Sequence, residues 1–245
     1  MTVYLSHATS FCGAVWDPVV SALDDMETVA WDQPGHGAGP SIEVPVSWSV
    51  FGEHVLDITK RGGIGVGHSM GAAALAMAQI ADPGRFKALI LIEPVMFPAP
   101  HARRDNDMSE RAMRRRRGFS SRQEAADNFR GRGAFVGWDD AAFDGYIRCG
   151  LIGDGPVHLA CRPEIEADIY RGSDAHDTFD RVGAIDVPVL LMSGANSQTV
   201  PPELARRQAD QFQRAGVEIV PDVGHFLPME TPKLVADRVR RLAVL

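Results

Sequence analysis

The sequence predicts an α/β protein with a doubly wound, mainly parallel six-stranded sheet and an inserted helical cap. Short apolar, β-branched runs alternate with longer segments of helical pattern, which indicates strands and helices in turn along one sheet. The runs lack polar alternation, which is typical of parallel strands covered on both faces. The alternation stops over residues 97–181, where only helical segments separated by glycines are predicted. An insertion of this length indicates a subdomain instead of a loop.

Six strands and five core helices follow from these patterns. The predicted strands are residues 3–5, 28–31, 64–66, 88–92, 187–192 and 217–220. The predicted helices are residues 16–23, 48–61, 71–81, 202–215 and 233–245. The core is therefore predicted over residues 1–96 and 182–245, and the helical cap over residues 97–181.

Arginines dominate the first part of the predicted cap. Between positions 101 and 132 there are ten arginines (103, 104, 111, 114, 115, 116, 117, 122, 130 and 132) against five acidic residues. Successive helical residues turn by about 100°, so the run at 114–117 cannot share one face and at most one or two of its side chains face a pocket. Two interpretations stay open for the segment 103–117: a solvated surface with local ion pairs, or a contact to an acidic substrate or partner.

Composition excludes several classes of function. With 45% hydrophobic residues and a net charge of −7, the chain has the composition of a globular protein and no general attraction for nucleic acid or an anionic membrane. Three scattered cysteines fit neither a disulfide framework nor a zinc site. No run approaches the ~18 apolar residues of a membrane span, and the first residues lack a signal-peptide pattern. We expect a cytoplasmic enzyme without metal or cofactor.

The motif Gly67-His68-Ser69-Met70-Gly71 carries the chemistry. It matches G-x-S-x-G, in which a strand ends abruptly at the serine and a helix begins directly after it. That tight turn lifts the serine hydroxyl clear of the sheet, and glycines are needed because side chains there would collide with neighbouring backbone. A predicted strand precedes the motif and an alanine-rich predicted helix follows it. Ser69 is therefore the predicted nucleophile.

Further landmarks occur in the order typical of one superfamily. His7-Ala8-Thr9-Ser10-Phe11 follows the first strand, with Trp16 soon after it, and Asp32-Gln33-Pro34-Gly35-His36-Gly37 follows the second. Gly224-His225-Phe226 lies near the end of the chain. With the motif around Ser69, the sequence resembles the α/β-hydrolase superfamily over residues 3–245, apart from the cap. Members often begin with an antiparallel hairpin that this sequence lacks. We therefore expect six strands in the spatial order 2-1-3-4-5-6.

A serine hydroxyl needs a base, and His225, in the loop after the last strand, is the predicted base. The resemblance places the acid in a Gly-x-x-Asp turn after the fifth strand, but here that position is Ser197. Some superfamily members carry the acid after the preceding strand, where this sequence has Glu93. Glu93 is the preferred acid, Asp222 is a weaker alternative, and a Ser–His dyad stays open.

The resemblance also implies an oxyanion hole and a pocket. The backbone N–H groups of Thr9 and Met70 match the positions whose donors stabilise a tetrahedral intermediate. Apolar side chains and one histidine near the landmarks suggest the pocket lining. The candidates are Phe11, Trp16, His68, Met96, Phe97 and Phe226, with a structural hydrogen bond open as the alternative for His68 and a place in the core for Trp16.

The predicted activity is hydrolysis of a small ester, thioester or lactone through an acyl-enzyme. Two alternatives stay open: a lyase or synthase that uses the same Ser–His pair for proton abstraction, and a non-catalytic ligand receptor on the same scaffold. Dehalogenase and epoxide hydrolase chemistry is disfavoured because those enzymes of the superfamily carry Asp where Ser69 stands. The partner is a small-molecule substrate; its identity and the oligomeric state are not predicted.

Overall fold

A computed structural model describes residues 1–244 of the chain. The strands are β1 (Thr2–Ser6), β2 (Glu27–Trp31), β3 (Gly63–His68), β4 (Phe86–Ile92), β5 (Gly118–Phe119), β6 (Leu151–Ile152), β7 (Val157–Leu159), β8 (Val189–Gly194) and β9 (Ala215–Val220). The helices are α1 (Asp17–Ala22), α2 (Ser49–Ile58), α3 (Met70–Ala81), α4 (Asp107–Met113), α5 (Arg122–Phe129), α6 (Asp140–Cys149), α7 (Pro163–Gly172), α8 (Thr178–Arg181), α9 (Pro202–Ala209), α10 (Leu227–Glu230) and α11 (Pro232–Ala243).

Six strands form one sheet in the order β2-β1-β3-β4-β8-β9, and every neighbouring pair is parallel. Counted along the core, this is the order 2-1-3-4-5-6, and the predicted fold class is confirmed. The chain reverses its direction across the sheet beside β1 and β3, and open α/β sheets bind their ligands at the carboxyl ends of such strands.

The sheet is covered on both faces because its central strands are apolar on both sides. Along β4, Leu89 and Leu91 pack in one buried cluster, whereas Ile90 and Ile92 pack in another. The first cluster contains side chains from α2 and α3, and the second contains side chains from α1 and α11. This two-sided burial explains the continuous apolar runs in the sequence.

Hydrogen bonds keep the carboxyl ends of the central strands level. The N–H of Ser69, just after β3, donates to the carbonyl of Ile92 at 2.9 Å. The N–H of Glu93, just after β4, donates to the carbonyl of Met192 in β8 at 2.8 Å. Three loops from distant parts of the sequence therefore begin side by side at one edge of the sheet.

The segment between β4 and β8 is mainly helical, and it also contains strands that the sequence did not predict. β5, β7 and β6 form a small antiparallel sheet. Phe119, Ala125 and Val157 pack together beneath it in a separate buried cluster. The expectation of helices alone is therefore corrected, because two- and three-residue strands are too short to show a periodic pattern. The division of the chain at residues 97 and 181 stays a prediction.

One helix boundary also differs. The predicted helix over residues 202–215 ends at Ala209, and Ala215 begins β9 instead. Pairing with β8 from Val189 to Gly194 outweighs the helical tendency of this segment. The last residue of the predicted C-terminal helix, Leu245, lies outside the described residues.

No helix among residues 1–244 combines the length and apolar character needed to cross a membrane. Over the same range, no three histidine, cysteine, aspartate or glutamate side chains are grouped so that they could hold a metal ion.

Candidate active site

Ser69 occupies a sharp turn between β3 and α3. Its backbone has φ 54° and ψ −115°, a conformation that residues other than glycine seldom adopt. A Cβ atom at Gly71 would lie 2.3 Å from the carbonyl oxygen of Ser6, and one at Gly67 would lie 2.6 Å from the Cα of Ala72. The glycines therefore allow strand and helix backbones to meet, and this approach holds the strained serine in place.

Three side chains form a continuous chain of hydrogen bonds at the edge of the sheet. The Ser69 Oγ lies 3.2 Å from Nε2 of His225. The Nδ1 of the same ring lies 2.9 Å from Oε2 of Glu93. Because an ionised carboxylate only accepts hydrogen bonds, Nδ1 carries the proton and Nε2 is left as the acceptor for the Ser69 hydroxyl. The structure thus brings together the predicted nucleophile, base and preferred acid.

The Glu93 carboxylate is fully buried and has three donors. Besides His225, the N–H of Gly194 donates to Oε1 at 2.7 Å, and the hydroxyl of Ser197 donates to Oε2 at 2.6 Å. Charge-assisted hydrogen bonds of this kind compensate for removing a carboxylate from water. Ser197, at the position where the family pattern has the acid, is therefore a donor to the carboxylate that lies there.

Asp222 does not take part in this chain. It is exposed, and its backbone φ of 62° places it in a turn ahead of His225. Nδ1 of His225 is bonded to Glu93 instead. The structure places Glu93, and not Asp222, beside the ring.

His68 has a different position from the one expected for a pocket-lining residue. Its ring is fully buried, and Nε2 lies 2.8 Å from the backbone carbonyl of His225. Burial lowers the pKa of His68 well below its ordinary value, and the nearby His225 adds to the effect, so the ring is neutral and donates from Nε2. His68 therefore holds the loop that carries His225; it is the structural hydrogen bonder of its two expected roles, and its alternative assignment to the pocket wall is corrected.

The predicted oxyanion-hole donors come from two elements that meet at Ser69. Thr9 follows β1 and Met70 begins α3, and the Thr9 hydroxyl lies 3.4 Å from the Met70 sulfur. Within residues 1–244, neither backbone N–H donates a hydrogen bond to another protein atom. Thr9 lies on the wall of the same cavity as Ser69. Two free donors near a serine hydroxyl are suited to binding a developing negative charge.

Ser10 fixes the loop that carries Thr9, and sequence reasoning did not predict this. Its backbone φ of 77° is unusual for a residue with a side chain. The N–H of Ser10 donates to Nε2 of His36 at 2.9 Å, and its hydroxyl donates to Glu166 at 2.5 Å. The buried Glu166 in turn accepts a bond from Arg115 at 2.6 Å. A partly buried ion pair in the cap thus supports the loop beside Ser69.

A cavity of about 1030 Å³ opens onto Ser69 and His225. Of the predicted lining residues, Phe11, Phe97 and Phe226 lie on its wall. Trp16 and Met96 do not, because both are buried in the apolar clusters that flank the sheet. For these two residues the predicted pocket contact is corrected to a role in the core.

Residues 114–117 follow the end of α4 at Met113, so the expected helical spacing does not apply to them, although the expectation that at most one or two face a pocket holds. Of residues 114–117, only Arg115 lies on the cavity wall. Its guanidinium is tied to Glu166 and to the Tyr146 hydroxyl, at 2.6 and 3.2 Å. The other three side chains form ion pairs with exposed glutamates.

A parallel sheet, a cap inserted after its fourth core strand, and a Ser–His–carboxylate chain at the carboxyl ends together define a protein of the α/β-hydrolase class. The chain belongs to the alpha/beta hydrolase family, whose profile matches residues 3–238. Membership of this family points to a hydrolase.

Three known proteins show how far this similarity reaches. The abhydrolase domain-containing protein AKT2 of Alternaria alternata is 25% identical over 211 residues, covering 71% of this chain and 80% of that protein. The peroxisomal alpha-beta-hydrolase Lpx1 of Saccharomyces cerevisiae has a TM-score of 0.82 and 19% identity, over 98% of this chain and 75% of its own. E-2-(Acetamidomethylene)succinate hydrolase has a TM-score of 0.80 and 18% identity, over 100% of this chain and 91% of its own. The two structures are evidence for the fold alone.

Proposed function

We propose that this protein hydrolyses a small ester, thioester or lactone through an acyl-enzyme formed on Ser69. The observation that carries the proposal is the unbroken hydrogen-bond chain from Ser69 through His225 to the buried Glu93, with distances of 3.2 and 2.9 Å. A serine hydroxyl is a weak nucleophile until a base accepts its proton, and this arrangement supplies that base in the required orientation.

The proposed reaction proceeds in two halves. Ser69 Oγ attacks the carbonyl carbon while its proton moves to Nε2 of His225, and the Glu93 carboxylate stabilises the resulting imidazolium through Nδ1–H. The N–H groups of Thr9 and Met70 bind the oxyanion. When the intermediate collapses, the imidazolium protonates the departing alcohol or thiol. Water then attacks the acyl-serine with the same base, which releases the acid and restores Ser69.

The cavity wall supports an acyl group that is largely apolar. Phe11, Phe97 and Phe226 lie on the wall around Ser69 and His225. Burying apolar substrate surface against such side chains contributes about 25 cal/mol per Å². We therefore expect esters of medium-length acids to be hydrolysed faster than acetates.

A non-catalytic receptor is the alternative if no carboxylate replaces the acid that is missing at Ser197. Glu93 supplies this carboxylate, which is bonded both to Ser197 and to His225. No structural feature favours proton abstraction by a lyase over acyl transfer.

The proposal is tested with a fluorophosphonate probe and a series of p-nitrophenyl esters of increasing chain length. The wild type is expected to be labelled on Ser69 and to release p-nitrophenol in an initial burst. Ser69→Ala should lose labelling and about 10⁶-fold in kcat. Glu93→Gln should lose up to about 10⁴-fold, because glutamine cannot stabilise the imidazolium.

Asp222→Asn serves as the matched control for Glu93→Gln. It removes one carboxylate near His225 in sequence, and asparagine tolerates the positive φ at this position. We expect wild-type activity from this variant. An unlabelled wild type would contradict the acyl-enzyme, and full activity in Glu93→Gln would remove Glu93 from the mechanism.

A further inference from the structure

We propose that Arg111 and Arg132 form a binding site for an anionic group of the substrate, at the rim of the cavity that contains Ser69. The inference rests on the proposed function, because it assigns the substrate class of the same cavity. The cap segment from position 101 to 132 contains ten arginines, which differ in what their side chains contact.

Eight of these ten arginines have partners within the protein. Seven of them form ion pairs with carboxylates, and Arg122 donates to backbone carbonyls. The seven are Arg103, Arg104, Arg114, Arg115, Arg116, Arg117 and Arg130. Most of the positive charge that the sequence places here is thus neutralised within the fold.

Arg111 and Arg132 are the two exceptions. Both are exposed, and among residues 1–244 neither side chain has an ion pair or a hydrogen bond. Both nevertheless lie on the cavity wall. The two unneutralised arginines of the segment therefore line the cavity that contains Ser69.

The carboxylates at the rim do not cancel this charge. Arg104 holds Asp174 and Arg115 holds Glu166, so two of the three acidic side chains on the cavity wall are already paired. The third, Asp107, is the first residue of α4, where the helix dipole stabilises a negative charge. Asp107 contributes one negative charge, whereas Arg111 and Arg132 contribute two positive charges. The net charge of the whole chain is −7. The rim of the cavity is therefore positively charged although the protein as a whole is negatively charged, and a positively charged cleft attracts anions.

Arg132 is exposed and lies between two glycines in a turn of the backbone. Gly131 and Gly133 flank it with φ of +67° and +56°, and no heavy atom lies within 4 Å of a Cβ built at either glycine. These glycines serve the turn of the backbone, not a close contact. Among residues 1–244, no hydrogen bond or ion pair fixes the Arg132 side chain, so its guanidinium is free to turn toward a bound ligand.

Guanidinium groups bind carboxylates and phosphates through paired N–H donors. Combined with the apolar wall near Ser69, the rim selects an acyl compound with an anionic group at a distance from the reacting carbonyl. That group is either a carboxylate on the acyl chain or a phosphate on the leaving group. Both sources share the chemistry that Arg111 and Arg132 recognise.

Two pairs of substrates separate the sources. The first compares p-nitrophenyl butyrate with mono-p-nitrophenyl glutarate, which adds a carboxylate to the acyl chain. The second compares butyryl-pantetheine with its 4′-phosphate. The wild type is expected to prefer the charged member of one pair by at least about tenfold in kcat/KM, mostly through KM, and to lose the preference at high salt.

Arg111→Gln/Arg132→Gln should abolish this preference while the neutral substrates keep their kcat. Arg114→Gln/Arg117→Gln is the matched control: it removes the same charge from the same segment, at side chains paired with exposed glutamates. This control should keep the preference.

Equal kcat/KM for charged and neutral members in both pairs would overturn the anion site, while hydrolysis of the neutral esters would leave the proposed function standing. Failure of the proposed function appears differently, as absent labelling of Ser69. In that case calorimetric titration of Ser69→Ala with monomethyl glutarate and with 4′-phosphopantetheine decides the anion site, and binding of neither overturns it.

Discussion

At the scale of single residues, the carboxylate beside His225 comes from a different position than the one in the family pattern. Glu93 supplies the carboxylate, and Ser197 occupies the turn where the family pattern has an aspartate. Oγ of Ser197 lies 2.6 Å from Oε2 of Glu93, so a carboxylate from either position reaches nearly the same point beside His225. Either position 93 or position 197 can therefore carry the acid without a movement of the His225 imidazole.

We predict that an aspartate at position 197 replaces the acid when Glu93 is neutral. Glu93→Gln/Ser197→Asp should recover at least about tenfold in kcat/KM over Glu93→Gln, because a negative charge again stabilises the imidazolium. Ester hydrolysis near neutral pH measures the recovery. Glu93→Gln/Ser197→Asn has nearly the same shape without the charge, and an equal recovery there would show that charge is not the cause.

Sequence patterns predicted that Ser69, His225 and Glu93 lie together, because each follows a predicted strand of the sheet, and their side chains form one chain of hydrogen bonds. They did not predict the support of Ser10 by Glu166, since 156 residues separate the two and neither belongs to a motif. A serine at a position with positive φ is visible only in the folded backbone.

At the scale of elements, the turn between β3 and α3 depends on backbone contact. Gly71→Ala would place a Cβ 2.3 Å from the Ser6 carbonyl oxygen, and no flexible side chain is present to move aside. We predict a loss of about 1–3 kcal/mol or more in the free energy of unfolding, with lower kcat because Ser69 shifts. Urea denaturation checks the first effect and ester kinetics check the second.

Gly216→Ala in β9 is the control for Gly71→Ala. No heavy atom lies within 4 Å of a Cβ built at that position. The same substitution should therefore leave stability and activity within the error of measurement, and a loss equal to that of Gly71→Ala would remove backbone contact as the cause.

An ion pair within the cap supports a hydrogen bond to the loop after β1. Arg115 holds Glu166, and Glu166 accepts the hydroxyl of Ser10. We predict that Arg115→Met destabilises the protein by about 3–5 kcal/mol, because it leaves Glu166 buried without a counter-charge. Arg115→Met/Glu166→Gln should be less destabilised than the sum of the single variants.

Urea denaturation of the wild type, the two single variants Arg115→Met and Glu166→Gln, and the double variant gives the coupling energy. The kcat of each protein shows whether the loop after β1 has moved. Additive losses would mean that the pair does not act as a unit. A stable double variant with wild-type kcat would show that the Ser69 site does not need this support from the cap.

At the scale of the whole molecule, the site is assembled from loops that depend on neutral buried histidines. His7 Nε2 accepts the N–H of Gln33 at 2.9 Å, and His36 Nε2 accepts the N–H of Ser10 at 2.9 Å. In each ring Nδ1–H donates to a backbone carbonyl, at 2.8 and 2.9 Å. A proton added at Nε2 would break the bond that the nitrogen accepts.

Burial sets the pKa of both rings. Loss of hydration lowers the pKa of His7 to about 4 and that of His36 to about 3, and for His36 the neighbouring His7 ring adds to the effect. Between pH 6.5 and about 4, the unfolded chain therefore binds protons that the folded protein excludes. Above pH 6.5 both states are neutral at these rings and neither contributes to pH dependence.

Stability is thus predicted to fall as the pH falls from 6.5 toward 4, by up to about 1.4 kcal/mol per pH unit for each ring. His36→Gln keeps a donor and an acceptor but has no titrating proton. The variant should therefore take up about one proton fewer on unfolding, and its unfolding free energy should fall less steeply with falling pH. His158→Gln, at an exposed ring on the cap, should keep the wild-type slope. Urea midpoints between pH 7 and 4.5 give the slopes. If His36→Gln keeps the wild-type slope, the acid sensitivity arises outside the loop that carries Thr9.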